Sequence, residues 1–270
     1  MKKILITALL TGLFHHAALA QGGAAENTMA ATPASTFNGT IGLFSDYRFR
    51  GISQTFMRPA LQGGIDYTHS SGWYAGNWNS NVSPGAGYPG SNLEMDFYAG
   101  YKTDIGAIKL DLGALYYAYP GAELNGKKVK NGELYLGASW KFLSARYSHA
   151  LTDYFNARGP NGERTRGTGY LDLSAAFDLG EGWGIHAHVG RLRVHNLPQA
   201  SYTDWKLGIS KELHGWVLGL SYIDSNAAGA CRHNEPYCLS NDLDRHGQQT
   251  GAKRRDAGRS SAVVSISRNF

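Results

Sequence analysis

The sequence predicts an all-β fold, a transmembrane antiparallel up-and-down barrel of about twelve strands. Three observations predict it. Apolar and polar residues alternate with a period of two through most of the chain, the signature of strands with one greasy face. No segment approaches the about 18 consecutive apolar residues that mark a membrane helix. The connections between alternating segments run long, short, long, short, as short periplasmic turns and extended outer loops require.

At the N-terminus, Met1-Lys2-Lys3 is positive, Ile4 to Phe14 is apolar, and Ala18-Leu19-Ala20 precedes Gln21. Residues 1–20 therefore read as a cleaved secretory signal peptide, with an apolar stretch too short to span a bilayer. Residues 21–36 are small and polar and read as a flexible lead-in. Residues 37–270 form the barrel. Export places the mature chain in an oxidising compartment, where Cys231 and Cys238 read first as a disulfide.

The strands follow in order. On the lipid-facing parity stand Ile41, Leu43 and Tyr47; then Leu61, Ile65 and Tyr67; then Tyr74, Trp78 and Val82, with Asn77, Asn79 and Asn81 facing inward. The fourth alternation is the clearest, with Leu93, Met95, Phe97, Ala99 and Tyr101 set against Glu94, Asp96 and Tyr98. Ile108 to Ala114, Leu134 to Trp140, and Leu143 to Leu151 continue the rhythm. So do Leu171 to Phe177, Trp183 to Val189, Trp205 to Ile209, Trp216 to Tyr222, and Ala262 to Phe270, where Arg268 interrupts the apolar face. Residues 68–72, 102–107, 141–142, 178–182 and 210–215 read as tight turns. Residues 49–59, 83–92, 119–131, 153–168, 194–201 and 223–260 read as outer loops.

Aromatics supply a separate check. Phe37, Tyr67, Tyr74, Tyr101, Trp140, Phe177, Trp183, Trp216 and Phe270 gather at the presumed periplasmic rim, where rings with a polar edge prefer the membrane interface. Hydrocarbon offers an edge strand no hydrogen-bond partner, so the last strand must pair with the first. Phe270 ends that closing strand, as the sorting signal recognised by the barrel-assembly machinery does.

Several stretches resemble the TorF-type (Gcw_chp) family of proteobacterial outer-membrane proteins, regarded as porins. They are Ser45-Asp46-Tyr47-Arg48-Phe49-Arg50-Gly51-Ile52-Ser53-Gln54, Pro59 to Tyr67, Gly72-Trp73-Tyr74-Ala75-Gly76, and Glu94 to Tyr101. The match is specific over 41–101 and looser but colinear to Phe270, and the 223–260 loop departs from it. The resemblance implies a barrel and a pore, and no substrate.

The candidate pore lining is Asp46, Arg48, Arg50, Asp66, Glu94, Asp96, Lys109, Asp111, Glu133, Arg146, Asp172, His186, His188, Asp204 and Lys206. These charges could form a constriction that selects solutes by sign, or salt bridges that fill the lumen. A twelve-strand barrel lies between those that fill with side chains and those that leave a channel. Eight acids against five bases on this list favour cations mildly. His186 and His188 share a face and could ligate a metal, but with no third ligand in view they read as polar lining. Cys231, His233 and Cys238 could hold zinc; the exported loop favours the disulfide. No metal or cofactor is expected.

The formal charge is +5, and removing Lys2 and Lys3 leaves +3, too little and too dispersed for nucleic acid. Lys127, Lys128, Lys130, Lys253, Arg254, Arg255 and Arg259 make the outer loops basic, suited to lipopolysaccharide phosphates or simply to water. No Walker loop, G-x-S-x-G or H-E-x-x-H motif occurs. Three functions follow from these residues. A monomeric outer-membrane channel would pass small hydrophilic solutes by diffusion. A plugged barrel would act through its outer loops in structure or adhesion. An outer-membrane enzyme has the least support.

Overall fold

Twelve strands hydrogen-bond in one closed antiparallel ring in the computed structural model, which describes residues 35–270. The signal peptide and most of the lead-in lie outside the described residues. The strands are β1 (Ser35–Phe44), β2 (Ala60–His69), β3 (Trp73–Asn81), β4 (Leu93–Ile105), β5 (Ile108–Leu124) and β6 (Lys127–Trp140). They continue as β7 (Leu143–Ala150), β8 (Gly169–Gly180), β9 (Trp183–Arg193), β10 (Tyr202–Leu213), β11 (Trp216–Ser225) and β12 (Ser261–Asn269). Each strand pairs with its neighbours in sequence, and β12 pairs with β1 to shut the ring. That seam runs from Thr40 opposite Asn269 to Phe44 opposite Ser265. Gly39 and Phe270 extend it by exchanging backbone hydrogen bonds of 2.7 and 3.0 Å.

The outward face is apolar. Leu207, Ile65, Leu112, Leu136 and Val264 are all exposed, an arrangement that suits hydrocarbon and not water. Inward positions carry Ser, Gly, Tyr and most of the charges. At one end lie short turns and both described termini; at the other lie the long connections. The aromatic rim at the short-turn end is present: Phe37 packs on Tyr67 at 5.0 Å, Trp73 on Tyr101 at 5.2 Å, and Phe142 on Phe177 at 4.7 Å.

The structure corrects the parity of β3. Asn77 pairs with Ile65 on one side and Phe97 on the other, and both of those are exposed outward. Asn77, Asn79 and Asn81 therefore face out, while Tyr74, Trp78 and Val82 turn inward. Tyr74 is buried in the lumen, and Trp73, 62% exposed, takes the rim position expected of it. The physical reason is that this barrel packs apolar rings inside its outer half, so greasiness alone does not mark the lipid side there. Tyr47 is also inside: β1 ends at Phe44 and the chain bends into the lumen.

Two boundaries shift as well. Ser35 and Thr36, expected in the lead-in, pair with His69 and Thr68 as the start of β1. Residues 119–131, expected as a loose loop, largely continue β5 and β6 as a ladder that shifts register between Ala118 and Glu123. It closes at Asn125 (φ 52°) and Gly126 (φ 72°), the left-handed pair that a two-residue hairpin turn demands.

A charge placed on the outward face should be costly if that face meets lipid. Leu207→Arg on β10 should reduce stability by about 2–4 kcal/mol if Leu207 lies near the bilayer midplane, and Ser221→Arg on the inner face by much less. Denaturant titration of the barrel folded in vesicles measures the difference.

Candidate functional site

The candidate site is the barrel lumen, and its wall repeats one device. A tyrosine on one strand lies flat across a glycine on the next and reaches an aspartate beyond. Tyr98 on β4 crosses Gly76 on β3 and donates to Asp66 Oδ1 on β2 at 2.5 Å. Tyr74 on β3 crosses Gly100 on β4 and donates to Asp111 Oδ1 on β5 at 2.5 Å. Tyr170 on β8 crosses Gly190 on β9 and donates to Asp204 on β10 at 3.0 Å. Tyr135 likewise covers Gly113 and meets the Tyr74 hydroxyl. A Cβ at any of these glycines would collide with the ring above it. The ring stays against the wall and each hydroxyl satisfies a carboxylate across the ladder.

The outer half of the lumen is occupied by the connection between β1 and β2. Residues 45–56 run inward and fold as a miniature hairpin, in which Arg48–Phe49 pairs with Ile52–Ser53. Its tip, Arg50 and Gly51, has φ of 49° and 80°, and a Cβ on Gly51 would strike Asp204 on β10. At its base the Tyr47 hydroxyl donates to Glu94 Oε1 on β4 at 2.8 Å. β4 and β10 stand six places apart in the twelve-strand ring, so this hairpin touches opposite walls.

Charge pairs fasten it. Arg50 Nη2 donates to Glu133 Oε2 on β6 at 2.7 Å, and the two side chains are 7% and 2% exposed. The same guanidinium lies 4.4 Å from the Tyr170 ring centre and 4.8 Å from that of Phe49. Asn131 Nδ2 donates to the other Glu133 oxygen at 2.9 Å, and the Tyr202 hydroxyl to the Arg50 carbonyl at 2.8 Å. Arg48 donates to Asp46 at 2.6 Å and to the carbonyls of Gly51, Ala257 and Arg259 at 3.0, 3.1 and 2.9 Å. Asp46 also accepts from Ser53 and Thr55.

The 151–168 connection buttresses the hairpin from the long-loop end. Phe155 packs on Phe49 at 5.8 Å, and Tyr154 accepts from Arg50 Nη1 at 3.1 Å. Asp153 organises that connection by accepting from Arg158 at 2.7 Å, Arg164 at 3.3 Å and the Thr165 N–H at 3.2 Å. Burial pushes the Asp153 carboxyl up, but the Arg164 hydrogen bond and the charges of Arg158 and Arg164 outweigh it and hold it below the usual carboxylate value.

The remaining candidate residues separate into two groups. On β8 to β10, His188 sits between Asp172 at 3.0 Å and Asp204 at 2.8 Å, with Lys206 close to both carboxylates. His186 bonds instead to Ser210 at 2.9 Å, so the two histidines serve different neighbours. Glu94 and Asp96 lie side by side, fully buried, on β4. Toward the short-turn end the lumen opens: Arg146 and Asp111 form a 2.9 Å pair, with side chains 19% and 18% exposed. Gly137, Ser139 and Ser144 occupy the inner positions around them. Lys109 is exposed near that rim.

Sequence reasoning missed three parts of this site. The inward course of 45–56 had a local signal in Arg50-Gly51, a turn pair between short alternating stretches. The tyrosine crossings had one in the inward glycines of neighbouring strands. Lys102, whose ammonium lies 4.5 Å from the Tyr74 ring centre, fell in a segment read as a turn. Outside the lumen, Cys231 and Cys238 are bonded to each other, which leaves no thiolate for zinc.

A family model described as "Bacterial protein of unknown function (Gcw_chp)" matches residues 28–248. No curated protein matches the chain. Among solved structures, a NanC porin is similar at a TM-score of 0.52 and 11% identity, covering 87% of this chain and 99% of its own. A KdgM porin is similar at 0.50 and 8% identity, with the same coverage. These likenesses concern the fold.

Removing one partner of a buried ion pair strands the other charge, at about 3–5 kcal/mol. Arg50→Met should therefore release residues 45–56, seen as faster amide exchange there with β8 to β10 still protected. The Asp153 carboxylate favours the ordered connection in its charged form. Its contribution is complete above about pH 5 and lost as pH falls below 4 through the lowered folded value. Protease cleavage within 151–168 should rise at pH 3 relative to pH 6.

Proposed function

The chain belongs to the bacterial Gcw_chp family, and from its barrel we propose that it is an outer-membrane channel through which small hydrophilic solutes diffuse passively. The observation that carries this reading is the division of the molecule. Apolar side chains cover the outside, and a polar lumen opens toward the short-turn end. Solutes would enter that vestibule freely and meet resistance at the hairpin of residues 45–56. Passage needs no bond-making group, so the chain acts as a channel and not as an enzyme.

The same hairpin favours a second reading. Because it reaches from β4 to β10, it could stop the lumen and leave function to the outer loops. Lys127, Lys128, Lys253, Arg254 and Arg255 stand there and suit lipopolysaccharide phosphates. Delivery to the outer membrane rests on cleavage after Ala20 and on Phe270 as the terminal signal for the barrel-assembly machinery. The carboxylates proposed to line the lumen outnumber the basic groups, which supports mild cation preference. Pairing of Asp46, Glu133 and Asp111 with arginines keeps that preference small.

Planar-bilayer recording of the folded protein separates the two readings. A channel gives discrete open steps, and Arg50→Met enlarges them by loosening the constriction. A silent bilayer after verified folding, with steps appearing only in Arg50→Met, assigns the chain to the plugged class. Under a salt gradient the reversal potential should favour cations; an anion-selective potential rejects that preference.

A further inference from the structure

Strand β3 shows the outside a face unlike those of its neighbours. Its outward positions are Trp73, Ala75, Asn77, Asn79 and Asn81, where other strands present leucine, isoleucine or valine. Asn77 and Asn79 stand four and six residues beyond the rim tryptophan Trp73. At about 3.3 Å per residue and a tilt near 40°, that places them about 10 and 15 Å above it, inside an apolar band about 25 Å tall. Polar side chains at that depth are costly unless they find partners.

The amides find partners in part. Asn79 Nδ2 donates to Asn77 Oδ1 at 2.6 Å, and Asn77 Nδ2 donates to the Asp96 carbonyl at 3.0 Å. A primary amide has two N–H groups and one carbonyl with two lone pairs, and each of these bonds uses one N–H. Asn77 lies between Ile65 and Phe97, and Asn79 between Gly63 and Met95, so the amides form a polar strip bordered by apolar side chains. Acyl chains have no donors or acceptors to offer. A second copy of the same ladder has both, and its bordering Ile65, Met95 and Phe97 meet their own counterparts around the amides.

We infer that this face of β2 to β4 is where two copies of the barrel pack together, amide ladder against amide ladder about a two-fold axis. A two-fold contact brings the same patch from each partner, so donors on one meet acceptors on the other. The inference rests on the membrane reading of the outer face and does not depend on whether the lumen conducts.

Sedimentation equilibrium of the folded full-length protein in density-matched detergent tests it. The wild type should sediment as a dimer, and the double variant Asn77→Leu, Asn79→Leu should weaken that dimer by about tenfold or more. Both side chains lie outside the lumen, so the β-sheet circular dichroism of the variant should match that of the wild type, which reports that the variant is folded. In vesicles, Asn79→Cys should form a covalent dimer on oxidation, while Leu207→Cys on the far wall should not. A monomeric wild type, an unchanged dimer in the double variant, or equal cross-linking at the two positions would overturn the inference.

Discussion

Hydrocarbon cannot hydrogen-bond a peptide group, and the rest of this architecture depends on that constraint. A sheet with a free edge would leave a row of N–H and C=O groups unmet. The seam between β1 and β12 removes the edge, and with it the choice of faces is settled. One side of every strand lies outside the ring, where Leu, Ile and Val are tolerated in the open. The other encloses a space that hydrogen-bonding side chains must fill or leave to water.

How that space is filled differs along the axis. Near the short-turn end, Tyr74 and Tyr98 are pressed flat by the glycines beneath them and hold Asp111 and Asp66 across the ladder, so bulk stays at the wall. Farther out, the hairpin of residues 45–56 brings Phe49 against Tyr117 at 5.6 Å and Tyr47 against Trp78 at 5.4 Å, and the interior is packed like the core of a soluble domain. Burying Arg48 and Arg50 is tolerable because each guanidinium faces a carboxylate or backbone carbonyls. The lumen is thus two environments in series, one wet and one dry.

That division explains what could be read from the sequence. Eleven of the twelve alternations put their aliphatic residues on the outward face, because one side of each is plainly aliphatic; Tyr47, at the end of the first, turns inward with the bend after Phe44. β3 failed because Trp78 and Val82 pack in the dry half of the lumen and Tyr74 lies against its inner wall, while three asparagines look out; hydropathy has no sign for that inversion. The register with Ile65 and Phe97 decides it, and register belongs to pairs of strands and not to one. The reach of β5 and β6 was legible in Asn125-Gly126, yet the polar residues around that turn were read as loop. The inward fold of 45–56 was not legible from alternation, since its anchors on β4, β6 and β10 lie far away in the chain.

The seam also bears on how the molecule comes into being. Every other junction in the ring joins strands that are consecutive in the chain. At the seam, Thr40 and Asn269 meet across 229 residues, and the side-chain bond between them is 2.8 Å. Contacts so remote contribute nothing until almost all of the intervening chain has been arranged, and such topologies assemble slowly. The hairpins between neighbouring strands can therefore form early and locally, while the cylinder stays open as a curved sheet. Its two unpaired margins are the stretches most exposed to wrong pairing until the last junction snaps shut.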